Sequence, residues 1–141
     1  MKPILFALAA AAAWGIGGYF EKRGMALGNL PPQVAITVRT AVALLILGAI
    51  SSPHWSALGA AGGKSLAYLI VGGGVVAGAV GMLCFYAAIH EAPLSRVMPI
   101  AFTAPLFGAA MGLTLGGEPL TARVAAGIAL CMGGVYLLTG R

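Results

Sequence analysis

Five long apolar runs, separated by short polar or turn-forming joints, make up almost the whole chain. Each run approaches the roughly 20 residues that an α-helix needs to cross about 30 Å of hydrocarbon. The runs predict helices over residues 3–20, 33–50, 65–89, 94–115 and 121–138. Because no joint could hold a further domain, the pattern predicts a single membrane domain over residues 1–141. The expected fold is an all-α integral membrane protein, a bundle of five transmembrane helices.

The joints carry recognisable boundary signals. The charged residues 21–23 suggest the end of the first helix, and Pro31-Pro32 predicts the start of the second. Trp55, in the longest joint, is expected to anchor that joint at the membrane interface. Lys2 followed by an apolar run also fits a secretory signal. We interpret this segment as a membrane helix because four more apolar runs follow.

Composition supports a bilayer environment. The chain is 60% hydrophobic and 8% charged, and a water-facing shell would need far more charge. The net charge of +5 comes from scattered basic residues without an aromatic platform, which argues against a nucleic-acid partner. Cys84 and Cys131 lie inside apolar runs and are expected to pack as small hydrophobic residues. The expected partner is therefore the lipid bilayer, in a multi-pass protein of the plasma (inner) membrane.

Basic residues are almost evenly divided between the two ends of the predicted helices. The side that carries the N-terminus would hold three of them: Lys2, Lys64 and Arg123. The opposite side would hold four, and Arg39 nearby would make five: Lys22, Arg23, Arg96 and Arg141. Orientation follows the Lys/Arg bias between short loops, and this bias is small. Dual topology and a single orientation fixed by another feature both remain open.

Glycines recur at four-residue spacing in two of the predicted helices. Gly74 and Gly78 do so in the third helix, and Gly108, Gly112 and Gly116 do so in the fourth. This spacing places the glycines on one helix face, where a missing side chain permits another backbone to come close. These five glycines are the predicted helix-packing residues.

Two prolines interrupt the fourth predicted helix. Pro99 and Pro105 each remove a backbone hydrogen bond and leave a carbonyl without its helical donor, at Ser95 and Ala101. Such carbonyls are tolerated in a membrane where they face protein or a water-filled cavity. Two interpretations remain open: a simple packing kink, or a helix that lines a substrate path.

The chain resembles a single EamA-like repeat of the drug/metabolite transporter superfamily. The resemblance covers nearly the whole chain and rests on short motifs in a specific order. They are Trp14-Gly15, Lys22, Pro31-Pro32, Arg39, Phe85-Tyr86-Ala87-Ala88, Ala92-Pro93-Leu94-Ser95, Pro105, Gly117-Glu118-Pro119-Leu120, Gly127 and Gly133-Gly134.

The resemblance implies one half of an inverted-repeat transporter fold, since many transporters pair two inverted repeats around a site near the midplane. Related chains carry two such repeats, and this sequence shows one. We therefore expect an antiparallel homodimer or a heterodimer with another five-helix half. The implied activity is alternating-access transport of a small polar or amphipathic metabolite, as a secondary carrier or facilitator. The alternative is a non-transporting membrane subunit that packs onto a larger membrane complex.

Four residues are candidates for the substrate path: Trp14, Arg39, Tyr86 and Pro105. Trp14 lies too deep for an interfacial belt, so it either lines a cavity or packs against neighbouring helices. Arg39 lies seven residues past Pro32, at a depth of about 10 Å, and either snorkels or faces a polar cavity. Tyr86 would hydrogen-bond a ligand or a neighbouring helix.

Two further residues are secondary candidates. Lys22 is most simply a boundary charge, as is its neighbour Glu21, and Glu118 would stabilise the start of the fifth helix. The basic character of Arg39 and Lys22 favours a substrate with a negative group.

The sequence shows no catalytic constellation, no metal-ligand spacing and no phosphate-binding loop. His54 and His90 are single residues at predicted helix ends. We therefore expect neither an enzyme nor a bound metal or cofactor.

Overall fold

The computed structural model describes residues 2–116 and 121–139. Within those ranges the chain is helical almost throughout and contains no strand. Five helices are long and apolar enough to cross a membrane, and we number them spans 1 to 5. They are Lys2–Gly28, Pro32–His54, Gly62–Glu91, Leu94–Thr114 and Ala122–Thr139. The all-α architecture with five long apolar helices is thereby confirmed.

Span 1 continues to Gly28, well beyond the expected end near Phe20. Residues 21–27 include Glu, Lys, Arg, Met, Ala and Leu, which all favour helix, so charge alone does not end it. The stop comes at Asn29, which has a left-handed φ of 46°. The Leu30 amide then donates to the Met25 carbonyl oxygen at 3.0 Å, the bond of a Schellman-type helix end.

Span 2 begins at Pro32, one residue before the predicted start at Gln33. Pro31 is the N-terminal cap, in extended conformation, and its carbonyl accepts hydrogen bonds from the Val34 and Ala35 amides. The α-helix runs to Ser51. A 3-10 turn over Ser52–His54 completes span 2, and a short helix over Ser56–Ala60 forms most of the joint to span 3.

Span 3 changes its winding in the middle. It consists of an α-helix over Gly62–Ala67, a π-helical segment over Tyr68–Gly81 and a second α-helix, Met82–Glu91. A Cβ atom on Gly78 would lie 2.9 Å from the Gly73 carbonyl oxygen, which is too close. Gly78 is therefore required by the π-helical backbone itself, in addition to any contact with another helix.

Span 4 is broken in the middle. One α-helix covers Leu94–Ala101 and a second covers Ala104–Thr114, with Pro105 in the first turn of the second helix. Proline lacks the N–H that would continue the first helix, and its fixed φ suits a helix start. The break therefore follows directly from Pro105, whereas Pro99 lies inside the first helix.

The chain divides into two compact units, residues 1–91 and 92–141. In the first unit the buried side chains gather where spans 1, 2 and 3 contact one another: Met25, Ile36, Tyr86 and Ile89. In the second unit, helix Leu94–Ala101 contacts span 5, and Val97 is buried. Most other large apolar side chains are exposed to the surroundings, which suits helices that face lipid.

Candidate functional site

The polar residues of the first unit meet at one end of its three spans. Glu21 lies seven residues before the end of span 1, and Arg39 lies seven residues after the start of span 2. At 1.5 Å per residue, both are about 10 Å from the turn that joins the two spans. Tyr86 comes from the last helix of span 3, five residues before its end at Glu91. Three helices thus place one acid, one base and one hydroxyl at similar distances from the ends of their helices.

Glu21 and Arg39 form an ion pair. The Arg39 Nε atom lies 2.8 Å from Glu21 Oε1, and the side chains are 38% and 20% exposed, respectively. A lone charge at this depth in a membrane would be unfavourable, and an opposite charge at contact distance offsets much of that penalty. Arg39 is therefore paired with Glu21, and its place in a substrate path stays a prediction.

Tyr86 adds a third member to this pair. Its side chain is only 1% exposed, and its hydroxyl donates a hydrogen bond to the Glu21 carboxylate. A buried tyrosine needs a partner for its polar end, and a carboxylate is a strong acceptor. The interaction holds one side of Glu21 against span 3 while Arg39 holds it against span 2. We call Glu21, Arg39 and Tyr86 the polar triad.

Lys22 also contacts this end of span 3, through a backbone carbonyl group. Its Nζ donates a hydrogen bond to the Ile89 carbonyl oxygen, in the last turn of that helix. The last carbonyls of a helix lack intrahelical donors and carry partial negative charge, so an ammonium group suits them. Ile89 itself is 0% exposed. Lys22 thus helps to fix span 1 against span 3, a role that a simple boundary charge would not have.

An open cleft of about 300 Å³ lies over the polar triad. Its polar lining comes from the triad, and the remainder is apolar or small: Phe20, Gly24, Met25, Leu30, Ala35 and Val38. Small-molecule sites commonly combine an apolar lining with a few convergent polar groups, at volumes from about 300 Å³ upward. The cleft therefore combines an apolar lining with three convergent polar side chains.

Trp14 lies two helical turns from Glu21 on span 1. Residues 14, 18, 21 and 25 follow the spacing that places side chains on one helix face. Gly18 and Met25 on this face are buried, whereas Trp14 is 57% exposed. The spacing aligns Trp14 with the triad but does not bring it into the cleft lining, so its place in the substrate path stays a prediction.

The second unit offers a different kind of surface. An open groove of about 370 Å³ between spans 4 and 5 is lined by apolar side chains only: Leu106, Ala109, Ala110, Leu113, Ala125, Ile128, Ala129 and Met132. Pro105 precedes the first of these lining residues and begins the helix that carries half of them. None of these described lining residues would orient a polar ligand, and Pro105 stays a predicted substrate-path residue.

The predicted packing glycines differ in what surrounds them. A Cβ atom on Gly116 would lie 2.9 Å from the Gly112 carbonyl oxygen, so this glycine suits the end of its own helix. A Cβ on Gly74 would make only an ordinary contact, 3.8 Å from the Leu69 carbonyl oxygen. A Cβ on Gly108 would meet no described atom of its own unit within 4 Å. Gly108 therefore leaves open surface for an approaching backbone. Glu118 falls outside the described residues.

The sequence pattern did not reveal Glu21 as the partner of Arg39. The signal was present, because the chain contains only three acidic residues and Glu21 is the one beside the turn that precedes Arg39. Placing the end of span 1 at Phe20 put Glu21 in the joint and hid the fact that Glu21 and Arg39 are equally far from their helix ends. The described residues contain no group of three or more His, Cys, Asp or Glu that could hold a metal ion.

Comparison with known families gives one finding. The sequence model of the EamA-like transporter family matches residues 1–140, which is almost the full sequence. Comparisons with curated proteins and with solved structures gave no match.

Proposed function

Because this chain belongs to the EamA-like transporter family and is a multi-pass membrane protein, we propose that it carries a small polar or amphipathic metabolite across the membrane. The mechanism is alternating access by a secondary carrier or facilitator. The cleft over the polar triad supplies one half of the substrate site.

The polar triad is the observation that carries this proposal. Charged residues inside membrane spans are unfavourable for insertion and mark substrate or ion pathways when they face a cavity. Replacement of a buried ion pair by apolar residues often leaves stability unchanged or raises it. Packing alone therefore gives little reason for Glu21 and Arg39 to be charged. Their placement beside an open cleft instead suits a ligand that interacts with charge.

A second, inverted repeat would complete the site. Transporter folds of this kind place the substrate between two repeats of opposite orientation. The near-even division of basic residues between the two sides supports an antiparallel pair of identical repeats, because neither orientation is strongly favoured. A heterodimer with a different five-helix half would satisfy the same geometry. The expected membrane is the plasma (inner) membrane.

Uptake into proteoliposomes tests the proposed transport. The purified protein would be screened against amino acids, nucleobases and organic anions, each radiolabelled, with empty liposomes as the baseline. Arg39→Gln should abolish uptake of the transported compound, because it removes the only basic group in the cleft lining. Arg96→Gln is the matched control, since Arg96 is exposed and lies in the other unit.

The control should transport at the wild-type rate, and both variants should reach wild-type abundance in the membrane. If no compound enters above baseline while the folded protein is present, the alternative of a non-transporting membrane subunit gains support. If Arg39→Gln transports with wild-type kinetics, the cleft over the triad is not part of the path.

A further inference from the structure

The charge of Arg39 is already satisfied in the ligand-free protein. Glu21 holds its Nε at 2.8 Å, so the cleft offers an ion pair to a ligand and not an isolated cation. The contact uses Nε, and the terminal guanidinium N–H groups can still receive a carboxylate or phosphate through paired hydrogen bonds. An anion bound to Arg39 would therefore share one positive charge with Glu21 or displace it.

Either arrangement places two negative groups on one guanidinium. The Glu21 side chain is only 20% exposed, so little solvent screens it from the bound anion. A like charge nearby and partial burial both favour the neutral form of a carboxyl group, so anion binding should be accompanied by uptake of a proton on Glu21. A protonated Glu21 also remains compatible with Tyr86, because a neutral carboxyl can still accept the tyrosine hydrogen bond.

We propose that the cleft takes a small anion bearing a carboxylate or phosphate group, and that one proton binds to Glu21 together with each anion. This inference rests on the proposed transport function and specifies its substrate class and coupling ion. The charge within the triad is then the same before and after loading: one pair of opposite charges, first Glu21 with Arg39 and afterwards the anion with Arg39. An unchanged charge keeps the loaded state tolerable inside the membrane.

Few other titratable groups face Glu21. From its own helix comes Lys22, which contacts span 3 at the Ile89 carbonyl. From span 2 comes Arg39, and from span 3 comes Tyr86. His90 and Glu91 lie at the end of span 3 and are exposed. Glu21 is therefore the acidic group in the cleft lining on which the co-bound proton can reside.

Proton counting tests this inference directly. Purified protein in neutral detergent and weak buffer, with a pH-indicator dye, would be titrated with benzoate, lactate or dimethyl phosphate, each of which stays a monoanion over the pH range used. Tetramethylammonium chloride serves as a cationic control. We expect at least one of the three anions to bind and to draw about one proton from solution per bound anion. Its affinity should rise as the pH is lowered from about 8 to about 6, approaching tenfold per pH unit.

Two variants separate the roles of the pair. Glu21→Gln should still bind the anion, with an affinity at least as high at about pH 8, but without proton uptake and without pH dependence, because Arg39 no longer has a competitor. Arg39→Gln should lose anion binding by at least about tenfold, which is the loss of one charge-assisted interaction. Glu91→Gln, an exposed acid at the end of span 3, is the matched control and should behave as wild type.

The outcomes distinguish this inference from the transport proposal. Anion binding by the wild-type protein without proton uptake would overturn the coupling to Glu21. Failure of all three anions to bind, combined with uptake of a neutral or cationic compound by proteoliposomes, would overturn the substrate class and leave transport intact. Proton uptake seen only when phosphatidylglycerol is added, and not with soluble anions, would identify a lipid headgroup site and overturn the inference.

Discussion

Arg39 Nε contacts Glu21 Oε1 at 2.8 Å, and this ion pair closes the hairpin formed by spans 1 and 2. The two residues lie at equal distances along the chain from the two helix ends, Gly28 and Pro32. Both side chains are therefore about equally far from the turn that joins the two helices. The pair fixes the two helices in register, and Tyr86 extends that connection to span 3.

Exchange of the two charges should preserve the hairpin. Arg39→Gln alone leaves Glu21 uncompensated and should lower the free energy of unfolding by about 1 to 2 kcal/mol, a value reduced for partial exposure. Glu21→Gln should destabilise to a similar degree. The double variant Glu21→Arg with Arg39→Glu should recover most of the loss, measured as the melting temperature in detergent. Additive losses in the exchanged variant would show that the pair contributes no coupling.

The hydroxyl and the ring of Tyr86 should contribute unequally to stability. Tyr86→Phe removes only the hydrogen bond to Glu21 and should cost about 1 kcal/mol. Tyr86→Ala empties a site that is 1% exposed and should cost about 3 to 5 kcal/mol. Thermal unfolding of both variants, with Tyr68→Phe at an exposed position as the control, would measure the difference. Equal losses for the two Tyr86 variants would contradict the packing assigned to the ring.

Pro105→Ala should repair the break in span 4. Alanine supplies the N–H that can donate to the Ala101 carbonyl, so the two helices can join across Phe102 and Thr103. We expect slower hydrogen exchange of the amides around residues 102–106, measured by mass spectrometry. Unchanged exchange would mean that other residues cause the break. If span 4 lines the substrate path, uptake by this variant should also fall.

Gly108 should tolerate no large side chain if its face contacts another helix in the assembly. A Cβ atom at Gly108 meets no described atom of its own unit within 4 Å, so the fold of Gly108→Leu should survive. A backbone that packs closely against this face would be displaced, and the dimeric fraction in cross-linking or light scattering should fall. Gly127→Leu adds the same bulk to span 5 and is the control. An unchanged dimeric fraction in both would assign the Gly108 face to lipid.

Added lysines should force a single orientation. Ser52→Lys with Ser56→Lys places two exposed basic residues at the end of span 2 and in the joint that follows it. Each is worth about 1 kcal/mol near an anionic surface. In an antiparallel homodimer, this variant should lose uptake and regain it when co-expressed with a copy biased the other way. Terminal reporter fusions would verify the orientations. Full uptake by the singly oriented protein alone would contradict the homodimer.

Much of the fold followed from hydrophobic length and proline positions. The five spans, the start of span 2 at Pro32 and a disturbance at Pro105 are consequences of local chemistry that a sequence displays. The end of span 1 was misplaced because charged residues were taken as the membrane boundary. Asn29 and Pro31 are the actual breakers, since Glu, Lys and Arg are good helix formers.

The contacts of the candidate site were harder to predict for a physical reason. The hydrogen bond from Lys22 to the Ile89 carbonyl joins residues 67 positions apart. Every residue has a backbone carbonyl group, so the sequence does not show which one accepts this bond. The π-helical winding of Tyr68–Gly81 is likewise a property of the backbone, not of any one residue type. Arg39 and Tyr86 were identifiable by residue type and depth, whereas their common partner Glu21 required knowledge of where span 1 ends.

The polar triad lies near one end of the first unit, and this position has a consequence for symmetry. In an antiparallel pair, the second copy carries its triad near the opposite membrane face. Each triad then borders the shared substrate site from one side of the membrane, and any substitution in the triad alters both halves of that site together. A heterodimer in which only one copy carries Arg39→Gln would separate them. Such a mixed pair should bind its substrate from one compartment only, so that a symmetric carrier becomes a one-sided receptor.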